Sequence, residues 1–533
     1  MFDCVLKNGT IIDGTGAAPF QADVAIRGDR IQAVQPGIEA ESREQVDAAG
    51  LCISPGFIDM HSHTDFTILG HPRGDSMVRQ GVTTEVMGNC GLSPAPVTEE
   101  YGEVLRENSK EFERHLTRKG IEWNWPSMER FLEQVEETGT ALNLVPLTGH
   151  RTLRIGVMGF AKRAPSPEEM QRMKTLLQAD MDKGIFGLST GFIYNPATFA
   201  RSPEVHELLS IVSACNGLYS THIRCENDRL IEAVTEAVQA ARATGVSLQI
   251  SHLKAEGKRN WGKSDQALGL IEKARAEGLD VTFDQYPYTA FSCGLIEVFP
   301  QWVKETGTQE VLRSLSDPGM RARIAETLEA AGSPPDEAID WEDIAVIGFS
   351  RDQYEAFEGL RLTEIARLMG CQAHEALMEL FCAEKGALRM IGHGMCEEDI
   401  GNIMAHPAGM IGSDGFALEE GARVSAHPRS FGSFPRVLGR YVREKGLLSL
   451  AEAIRKMTSL PADKLNLRDR GRVQPGLMAD LTLFDPDRIS DRAGFTAPRE
   501  FPLGIHRVMV NGKTVFADER HSGELPGRVL RRG

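Results

Sequence analysis

The sequence predicts an α/β fold, a (β/α)8 TIM-like barrel with a small β-sandwich-like domain formed by both chain ends. Short apolar strands alternate with helical stretches through the middle of the chain, a pattern typical of a parallel sheet with crossover helices. Both ends instead carry strands that run into turn residues, such as Asn8-Gly9 and Asn511-Gly512. The two strand-rich ends therefore indicate one small β-domain beside the barrel.

Eight candidate strands can be counted in the alternating region. They lie at 56–60, 82–87, 142–147, 184–189, 218–223, 246–250, 281–284 and 409–412. Helices are predicted between them, for example over 167–183 and 229–244. Eight is the number of strands that closes this barrel, in which reactive residues lie at the C-terminal ends of the strands.

Three segments flank or interrupt this pattern. We place the small β-domain at 1–54 plus 471–520, the barrel at 55–470 and a C-terminal tail at 521–533. About 120 residues separate the seventh and eighth strands, which is far beyond an ordinary connection. We therefore expect an insertion or lid at about 290–390. The tail is polar, and we expect it to pack loosely or fray.

Amino-acid composition limits the binding partners and the cellular compartment that can be expected. The chain has 533 residues and a formal net charge of −16, which argues against nucleic acid or an anionic membrane surface as partner. Its nine scattered cysteines, an odd number, suit a reducing compartment. No secretory signal and no run of about 18 apolar residues is visible. We expect a cytoplasmic protein with a small-molecule partner, and the sequence does not decide its oligomeric state.

The first candidate chemistry is the pair His61 and His63, directly after the first apolar strand. Side chains at i and i+2 of a strand share one face, so both imidazoles would point into the barrel mouth. Neutral imidazole is the commonest zinc ligand. Asp65 follows at the next even position, where it could support a ligand. The alternative is a pair of polar residues at a strand end.

Three more candidates end other predicted strands. Cys90 ends the second strand in the motif GNCG, His222 ends the fifth and His252 ends the sixth. A thiolate can bind zinc, although a lone cysteine is more often a small buried apolar residue. Each histidine alone could equally be a hydrogen-bonded core residue. Together, four histidines and one cysteine fall at C-terminal strand ends, and this combination favours a metal site.

Asp414 completes the set at the end of the eighth strand. A carboxylate beside a metal-bound water could take its proton and pass it to a leaving amine. The alternative is an aspartate in a turn, because Gly415 follows it. The position of Asp414 in the strand order favours the catalytic interpretation.

These motifs resemble the amidohydrolase superfamily and, within it, the D-aminoacylases (N-acyl-D-amino-acid deacylases). HxH after PGFID is specific for the superfamily, and GNCG together with HPR and FPRVLG is specific for the subgroup. With the strand-rich ends included, the resemblance covers nearly the whole chain. The matching segments are 55–63, 80–84, 88–91, 149–150, 221–224, 251–254, 286–288, 413–415, 427–429 and 434–439.

The resemblance implies zinc-dependent hydrolysis of the amide bond of N-acyl-D-amino acids, with Asp414 as general base and acid. Many amidohydrolases bridge two metals with a lysine of the fourth strand, but 184–191 contains none, and Lys183 precedes the strand. The resemblance gives the bridging role to Cys90. It assigns one tight zinc site and a second, weaker one, whose occupancy stays open: Cys90, His222 and His252 for the first, His61 and His63 for the second.

The resemblance also implies how the substrate is held. Arg429 would pair with the α-carboxylate, a task that suits a guanidinium fork. Tyr288 and Ser292 would assist with their hydroxyl groups, and Tyr194 would lie near the scissile amide. Without the motif match, Arg429 could be a surface arginine and Tyr288 a packed aromatic.

Two sets of residues bear on the side-chain preference. Lys254 and Arg224 point inward by strand alternation and could meet an acidic side chain, or they could pair with acids such as Glu226 or Glu256. Trp261 and Phe291 could line an apolar pocket. We expect neutral or apolar substrates first and acidic ones second.

Two other functions compete. A cyclic-amide hydrolase, such as a dihydroorotase or hydantoinase, would share the histidines and the final aspartate. The absence of a lysine from the fourth strand and the presence of GNCG argue against this function. A non-catalytic barrel scaffold should have lost ligands, whereas every candidate is in place.

Overall fold

The computed structural model describes residues 1–334, 338–421 and 427–533. It confirms the predicted α/β barrel, because eight strands of the middle region surround one centre. In chain order they are Phe57–Asp59, Val82–Met87, Asn143–Pro146 continued by Thr148–Gly149, Gly187–Gly191, Leu218–His222, Ser247–Ile250, Val281–Gln285 and Gly409–Ile411.

Backbone hydrogen bonds close the ring of strands. Strands one to three form one hydrogen-bonded group, and the continuation of strand three together with strands four to eight forms a second. Neighbouring strands within each group are parallel. The amide of Phe186 donates to the carbonyl of Pro146 at 3.0 Å, which joins the third strand to the fourth. The amide of Asp414 donates to the carbonyl of His61 at 2.7 Å, which joins the eighth to the first. The ends of strands one and eight are therefore held together directly at the mouth.

The fourth strand begins later than the sequence predicts. It spans Gly187–Gly191 rather than 184–189. Gly184 has a φ of 82° and lies in a turn, and the amide of Ile185 still bonds to the carbonyl of Asp180 in the preceding helix. The first apolar residues of this run therefore finish the helix exit, so the prediction placed the strand about three residues too early.

The crossover helices follow ordinary sequence signals. Pro167–Asp182 begins with a capping box, in which the Ser166 side chain accepts from the amide of Glu169 and the Glu169 carboxylate accepts from the amide of Ser166. The other described α-helices outside the insertion are Asp75–Val78, Gly102–Glu107, Lys110–Thr117, Met128–Thr138, His150–Met158, Ser202–Ala214, Leu230–Thr244, Lys263–Ala276, Glu397–Ala405, Arg429–Arg436, Leu450–Met457 and Ser459–Lys464.

Strands from both chain ends form one nine-stranded sheet, as predicted. Its N-terminal and C-terminal parts meet where Cys52–Pro55 runs antiparallel to Leu481–Phe484. The domain boundaries near 54 and 471 stay a prediction. The remaining strands are Phe2–Ile11, Phe20–Arg27, Arg30–Gln35, Ser42–Asp47, Ile505–Val510, Lys513–Ala517 and Arg520–His521.

The long excursion after the seventh strand is a folded unit with its own apolar core. Its centre is a three-stranded antiparallel sheet in the order Phe291–Gly294, Arg389–Gly392, Ile344–Ile347. Residues 335–337 of the predicted insertion lie outside the described residues. The helices of this unit are Gln301–Lys304, Thr308–Ser316, Pro318–Ala331, Leu362–Met369 and Ala373–Ala383.

The C-terminal tail is bound to the barrel, so the expectation of loose packing was wrong. The amide of Leu144 in the third strand donates to the carbonyl of Arg528 at 2.9 Å, and the amide of Leu530 donates to the carbonyl of Leu144 at 2.8 Å. The tail thus supplies partners for a strand backbone. In the part of the chain that the structure describes, no helix is long and apolar enough to cross a membrane.

Candidate metal centre and substrate cavity

The predicted ligands converge at the barrel mouth. The ligand atoms of Cys90, His222 and His252 lie within 4.8 Å of one another, and so do those of His61, His63 and Cys90. The sulfur of Cys90 is 3.3 Å from Nε2 of His61 and 3.4 Å from Nε2 of His252. Cys90 is therefore common to both groups.

Glycines allow the Cys90 loop to fit under neighbouring strands. A Cβ atom on Gly88 would lie 2.2 Å from the carbonyl oxygen of Leu147, and Gly88 has a φ of 81°. The amide of Gly91 donates to Oγ of Ser189 at 3.0 Å, which ties the loop to the fourth strand. The glycines of GNCG thus permit a close backbone approach that fixes the sulfur.

Three candidate site residues adopt left-handed backbone conformations. Cys90 has a φ of 55°, His252 of 34° and Asp414 of 52°. For non-glycine residues such backbones are uncommon and cost on the order of 1–3 kcal/mol each. The surrounding strands hold this strain, and strain of this kind is concentrated at functional sites.

The donor atoms fit a zinc ion. Burial holds the pKa values of His222 and His252 well below the ordinary histidine value, so both rings are neutral at neutral pH. Both ring nitrogens of His222 are buried and form no hydrogen bond with any described residue. A cysteine sulfur beside neutral imidazole nitrogens is a donor set that zinc prefers.

Glu226, which was not predicted as a site residue from the sequence, bonds to His252 and lies near His222. Its Oε1 lies 2.9 Å from Nδ1 of His252, and its Oε2 lies 3.4 Å from Nε2 of His222. The ammonium of Lys254 donates to the same Oε1 at 2.6 Å. Lys254 therefore faces the cavity as expected, but its charge is paired with Glu226.

Asp284 at the end of the seventh strand supports the other side of the cluster. Its Oδ1 accepts from the amide of His252 at 2.8 Å and lies 3.5 Å from Nδ1 of His61. Its Oδ2 accepts from the side chain of Gln249 at 2.8 Å. Asp284 also follows an apolar strand, so the signal used for the histidines could have found it.

Asp414 lies between the histidines and Arg429. Its Oδ1 is 3.2 Å from Nε2 of His63, and its Oδ2 is 2.8 Å from the Arg429 guanidinium. Burial alone would raise the pKa of Asp414, but Arg429, His63 and His61 outweigh it and hold the pKa well below its usual range. The carboxylate is therefore ionised at neutral pH and can accept a proton.

A cavity opens above these groups. It encloses about 990 Å³ of space, including its opening to solvent. The insertion supplies one wall through Phe291 and Ser292, and the ring of Tyr194 lies edge-on to His222 with centroids 5.1 Å apart. Cys90, His222, His252, His63 and Asp414 form part of its floor. These four candidate ligands and Asp414 are thus accessible to a small molecule, whereas His61 is fully buried behind them.

Four residues lie away from that surface. Arg224 donates to Glu236 at 2.9 Å on the outer side of the barrel, and Trp261 donates to the carbonyl of Gly394, so the expectation that either faces the cavity was wrong. Strand alternation failed for Arg224 because the strand already ends at His222. Neither Tyr288, whose hydroxyl donates to the carbonyl of Pro428 at 3.4 Å, nor Arg429 is among the described residues that line it.

Lys183 does not take part in the centre. Its ammonium pairs with Glu129 at 2.7 Å on the protein surface. No described residue of Gly187–Gly191 is a lysine. A lysine bridge between two metals, as in many barrel hydrolases, is therefore not available from the fourth strand.

Comparison with known proteins places this site in a family. A model of the amidohydrolase family matches residues 44–516. The chain is 35% identical to a D-aminoacylase of Alcaligenes xylosoxydans xylosoxydans, covering 100% of this chain and 98% of the relative. It is 36% identical to an N-acyl-D-glutamate deacylase of the same organism, covering 99% and 96%.

A solved structure agrees with these sequence matches. It is an N-acyl-D-glutamate deacylase from Bordetella bronchiseptica, complexed with zinc and a phosphonate inhibitor that mimics the tetrahedral intermediate. The TM-score is 0.83 at 32% identity, and the match covers 99% of each chain. The chain belongs to the amidohydrolase family.

Proposed function

We propose that the protein is a zinc-dependent amidohydrolase that cleaves the amide bond of N-acyl-D-amino acids to a carboxylate and a free D-amino acid. The observation that carries this proposal is the convergence of Cys90, His222 and His252 within 4.8 Å at the floor of a cavity that also exposes Asp414. Full-length similarity to D-aminoacylases and related deacylases supports the substrate class.

Cys90, His222 and His252 would hold the tighter zinc ion, and His61 and His63 would form a second, weaker site with Cys90 as the shared ligand. A bound zinc ion supplies Lewis-acid chemistry, which polarises a carbonyl group and makes water nucleophilic at neutral pH. An ion held by His61 and His63 would share the sulfur, because both of these groups of donors contain it, whereas a third group, His61, His252 and Asp414, lacks it.

Asp414 carries the proton. As an ionised carboxylate it takes a proton from the attacking water while the oxygen forms a bond to the acyl carbon. It then gives this proton to the amide nitrogen as the carbon–nitrogen bond breaks, so the amine leaves neutral. Proton acceptance and donation by one group leave Asp414 unchanged after each turnover.

The remaining residues would orient the substrate. Arg429 is not among the described residues that line the cavity and is paired with Asp414, so it would bind the α-carboxylate in exchange for that ion pair. Ser292 and Tyr288 would be its hydroxyl partners, and Tyr194 would lie beside the scissile amide. Lys254 would act by orienting Glu226 and His252, which its ammonium approaches to 2.6 Å and 2.8 Å. Three fixed points, the metal, Arg429 and the side-chain pocket, would select the D enantiomer.

Neither competing function is favoured. A cyclic-amide hydrolase of this family with a lysine-bridged metal pair is disfavoured by the fourth strand, which has no lysine. A scaffold without activity would not be expected to keep a complete donor set beside an ionised Asp414. The nine cysteines, none of them in a disulfide, favour a reducing compartment such as the cytoplasm.

The decisive experiment combines a substrate panel with one variant. Zinc-loaded protein is assayed on N-acetyl-D-amino acids, their L enantiomers, hydantoin and dihydroorotate, and zinc is measured by metal analysis. We expect turnover of D substrates, and we expect Asp414→Asn to lose turnover while keeping near-normal zinc. Turnover of L substrates or cyclic amides alone, or full activity in the variant, would overturn the proposal.

A further inference from the structure

Arg389 is a cavity-lining cation that the sequence analysis did not assign to the site. It begins the strand Arg389–Gly392 of the insertion and lies opposite Gly294 in the antiparallel register. Its Nη2 donates to the carbonyl oxygen of Ser292 at 3.1 Å and lies 3.3 Å from Oγ of the same residue. Neutral oxygen atoms therefore hold the guanidinium at the cavity wall.

Arg389 and Arg429 differ in whether an acidic side chain pairs with the guanidinium group. Both guanidinium groups reach the carbonyl of Ser292, Arg389 at 3.1 Å and Arg429 at 3.4 Å. Arg429 pairs with Asp414 at 2.8 Å. For Arg389, no carboxylate oxygen of residues 1–334, 338–421 or 427–533 lies within the 4.0 Å of an ion pair. Two cations thus converge on one point, and one of them faces the cavity without an acidic partner.

Two acids line the same wall, and neither lies within ion-pair distance of Arg389. Glu297 is 3.3 Å from the ammonium of Lys304. Burial raises the pKa of Glu111, against the opposing effect of Arg389 and Arg151, so this carboxyl is shifted toward its neutral form. Arg151 adds a second positive charge, and among the described residues its guanidinium donates to neutral oxygens, those of Asn195, Ser109 and Asn108. This end of the cavity therefore favours an anion.

Arg389 is close enough to the metal centre to contact the same molecule. The Phe112 ring centroid is 5.7 Å from that of His63 and 5.7 Å from Cζ of Arg389. The Phe416 ring is 6.0 Å from His63 and 5.7 Å from Arg389. One layer of aromatic side chains therefore separates the guanidinium from a candidate metal ligand.

We propose that Arg389, anchored on Ser292, binds the side-chain carboxylate of the substrate, so that acidic N-acyl-D-amino acids are the preferred class. This inference rests on the proposed function. An acidic substrate has two carboxylates, and these pair with Arg429 and Arg389 in charge-assisted hydrogen bonds. An apolar side chain would instead remove water from the Arg389 guanidinium without offering a hydrogen-bond acceptor in its place. This proposal reverses the preference for neutral or apolar substrates that the sequence suggested.

The test compares N-acetyl-D-glutamate with N-acetyl-D-glutamine, which has a similar shape without the charge. We expect the wild-type protein to prefer glutamate in kcat/KM. Arg389→Met should lower kcat/KM for glutamate about 30-fold or more, the cost of removing one partner of a buried charge pair, with a much smaller loss for glutamine. Arg389→Lys keeps the charge and should recover part of the loss.

The control is Arg367→Met, which removes an exposed arginine from the helix Leu362–Met369 of the same insertion. It should leave the glutamate-to-glutamine ratio unchanged. Equal wild-type kcat/KM on the two substrates, or equal losses on both in Arg389→Met, would overturn the inference while the proposed function stands.

A binding measurement separates the two proposals further. Calorimetry on zinc-loaded Asp414→Asn protein reports affinity without turnover, and it should show tighter binding of the glutamate derivative, a difference that the added Arg389→Met change removes. If this holds and no D substrate is hydrolysed by the wild type, the proposed function fails and the charge recognition stands. If the two compounds bind equally, the inference about Arg389 is wrong.

Discussion

The ammonium of Lys254 donates a 2.6 Å hydrogen bond to the carboxylate of Glu226, and the same carboxylate oxygen lies 2.9 Å from Nδ1 of His252. A carboxylate on Nδ1 leaves Nε2 of His252 directed at Cys90, which is 3.4 Å away. Such partners fix the tautomer and the orientation of a metal-binding imidazole. The ammonium of Lys254 also lies 2.8 Å from Nδ1 of His252, so Lys254 contacts the centre both directly and through Glu226.

We expect Glu226→Gln to weaken zinc binding about 10- to 100-fold, which is the usual effect of removing a carboxylate behind a ligating histidine. Competition with a coloured chelator measures the zinc affinity directly, independently of activity. Glu232→Gln changes an exposed glutamate in the first turn of Leu230–Thr244 and serves as the matched control. An unchanged zinc affinity in Glu226→Gln would show that this contact does not orient His252.

Cys90→Ser should remove most of the bound zinc, because a neutral hydroxyl replaces the sulfur that lies beside both His61 and His252. We expect activity to fall by at least about 100-fold, since zinc-activated water and its oriented ligands are lost together. Metal analysis after dialysis and a kinetic assay provide the two measurements. Cys371→Ser, at a partly exposed cysteine of the insertion, should keep both zinc and activity. Full zinc content in Cys90→Ser would contradict the assignment of the sulfur.

The sequence predicts the centre well where chemistry and strand order coincide. His222 ends a barrel strand, and His61, His63, Cys90, His252 and Asp414 follow a strand end within four residues; the parallel barrel brings such residues to one mouth. Arg389 could not be found in this way, because it begins an antiparallel strand in the insertion, where no periodic rule points toward the barrel. Arg224 shows the opposite error, since alternation was extended past the end of its strand.

The boundaries of the elements failed for a related reason. Ile185 and Phe186 are apolar and buried, so they satisfy the pattern of a strand, yet Gly184 turns the chain there and the strand begins at Gly187. Hydrophobic patterning records burial, whereas strand limits depend on which backbone groups find partners. The same distinction explains the tail, whose polar residues gave no sign of its backbone bonds to the third strand.

Asp180 should make stability depend on pH. Burial raises the pKa of this carboxyl from 3.8 to about 7, although the hydroxyl of Thr148 donates to it at 2.7 Å. The folded state therefore binds more protons than the unfolded state between these two pH values, so stability falls as pH rises from about 4 to 7 and the cost is fully present above it.

The corresponding variant is Asp180→Asn, which cannot ionise. We expect it to be on the order of 1–3 kcal/mol more stable than the wild type at pH 8 and close to it near pH 4, measured by urea unfolding at both pH values. Asp182→Asn, at an exposed position two residues later, should change stability little at either pH. A pH-independent difference between Asp180→Asn and the wild type would show that the carboxyl is not held neutral.

Removing residues 526–533 should destabilise the barrel without affecting its chemistry. The segment contributes backbone hydrogen bonds to Leu144 and, through the amide of Gly527 at 2.7 Å, to the carbonyl of Thr140, and Val529 and Leu530 pack against buried apolar clusters. A fourth backbone bond runs from the amide of Arg532 to the carbonyl of Gly184 at 2.7 Å. Each intramolecular hydrogen bond contributes about 1 kcal/mol net, so we expect a loss of roughly 4 kcal/mol and a lower thermal midpoint.

The matched control for this deletion is Arg531→Ala. It removes a surface ion pair with Glu136 at 3.2 Å but leaves the backbone bonds of the tail in place. Exposed ion pairs contribute about 0–1 kcal/mol, so its thermal midpoint should stay near that of the wild type. Well below the midpoint, the truncated protein should keep its kcat, because the tail runs along the outside of the third strand and is not part of the described cavity lining. An unchanged midpoint in the truncated protein would mean that water replaces the hydrogen bonds of the tail without loss of stability. The tail backbone would then not be required beside the third strand.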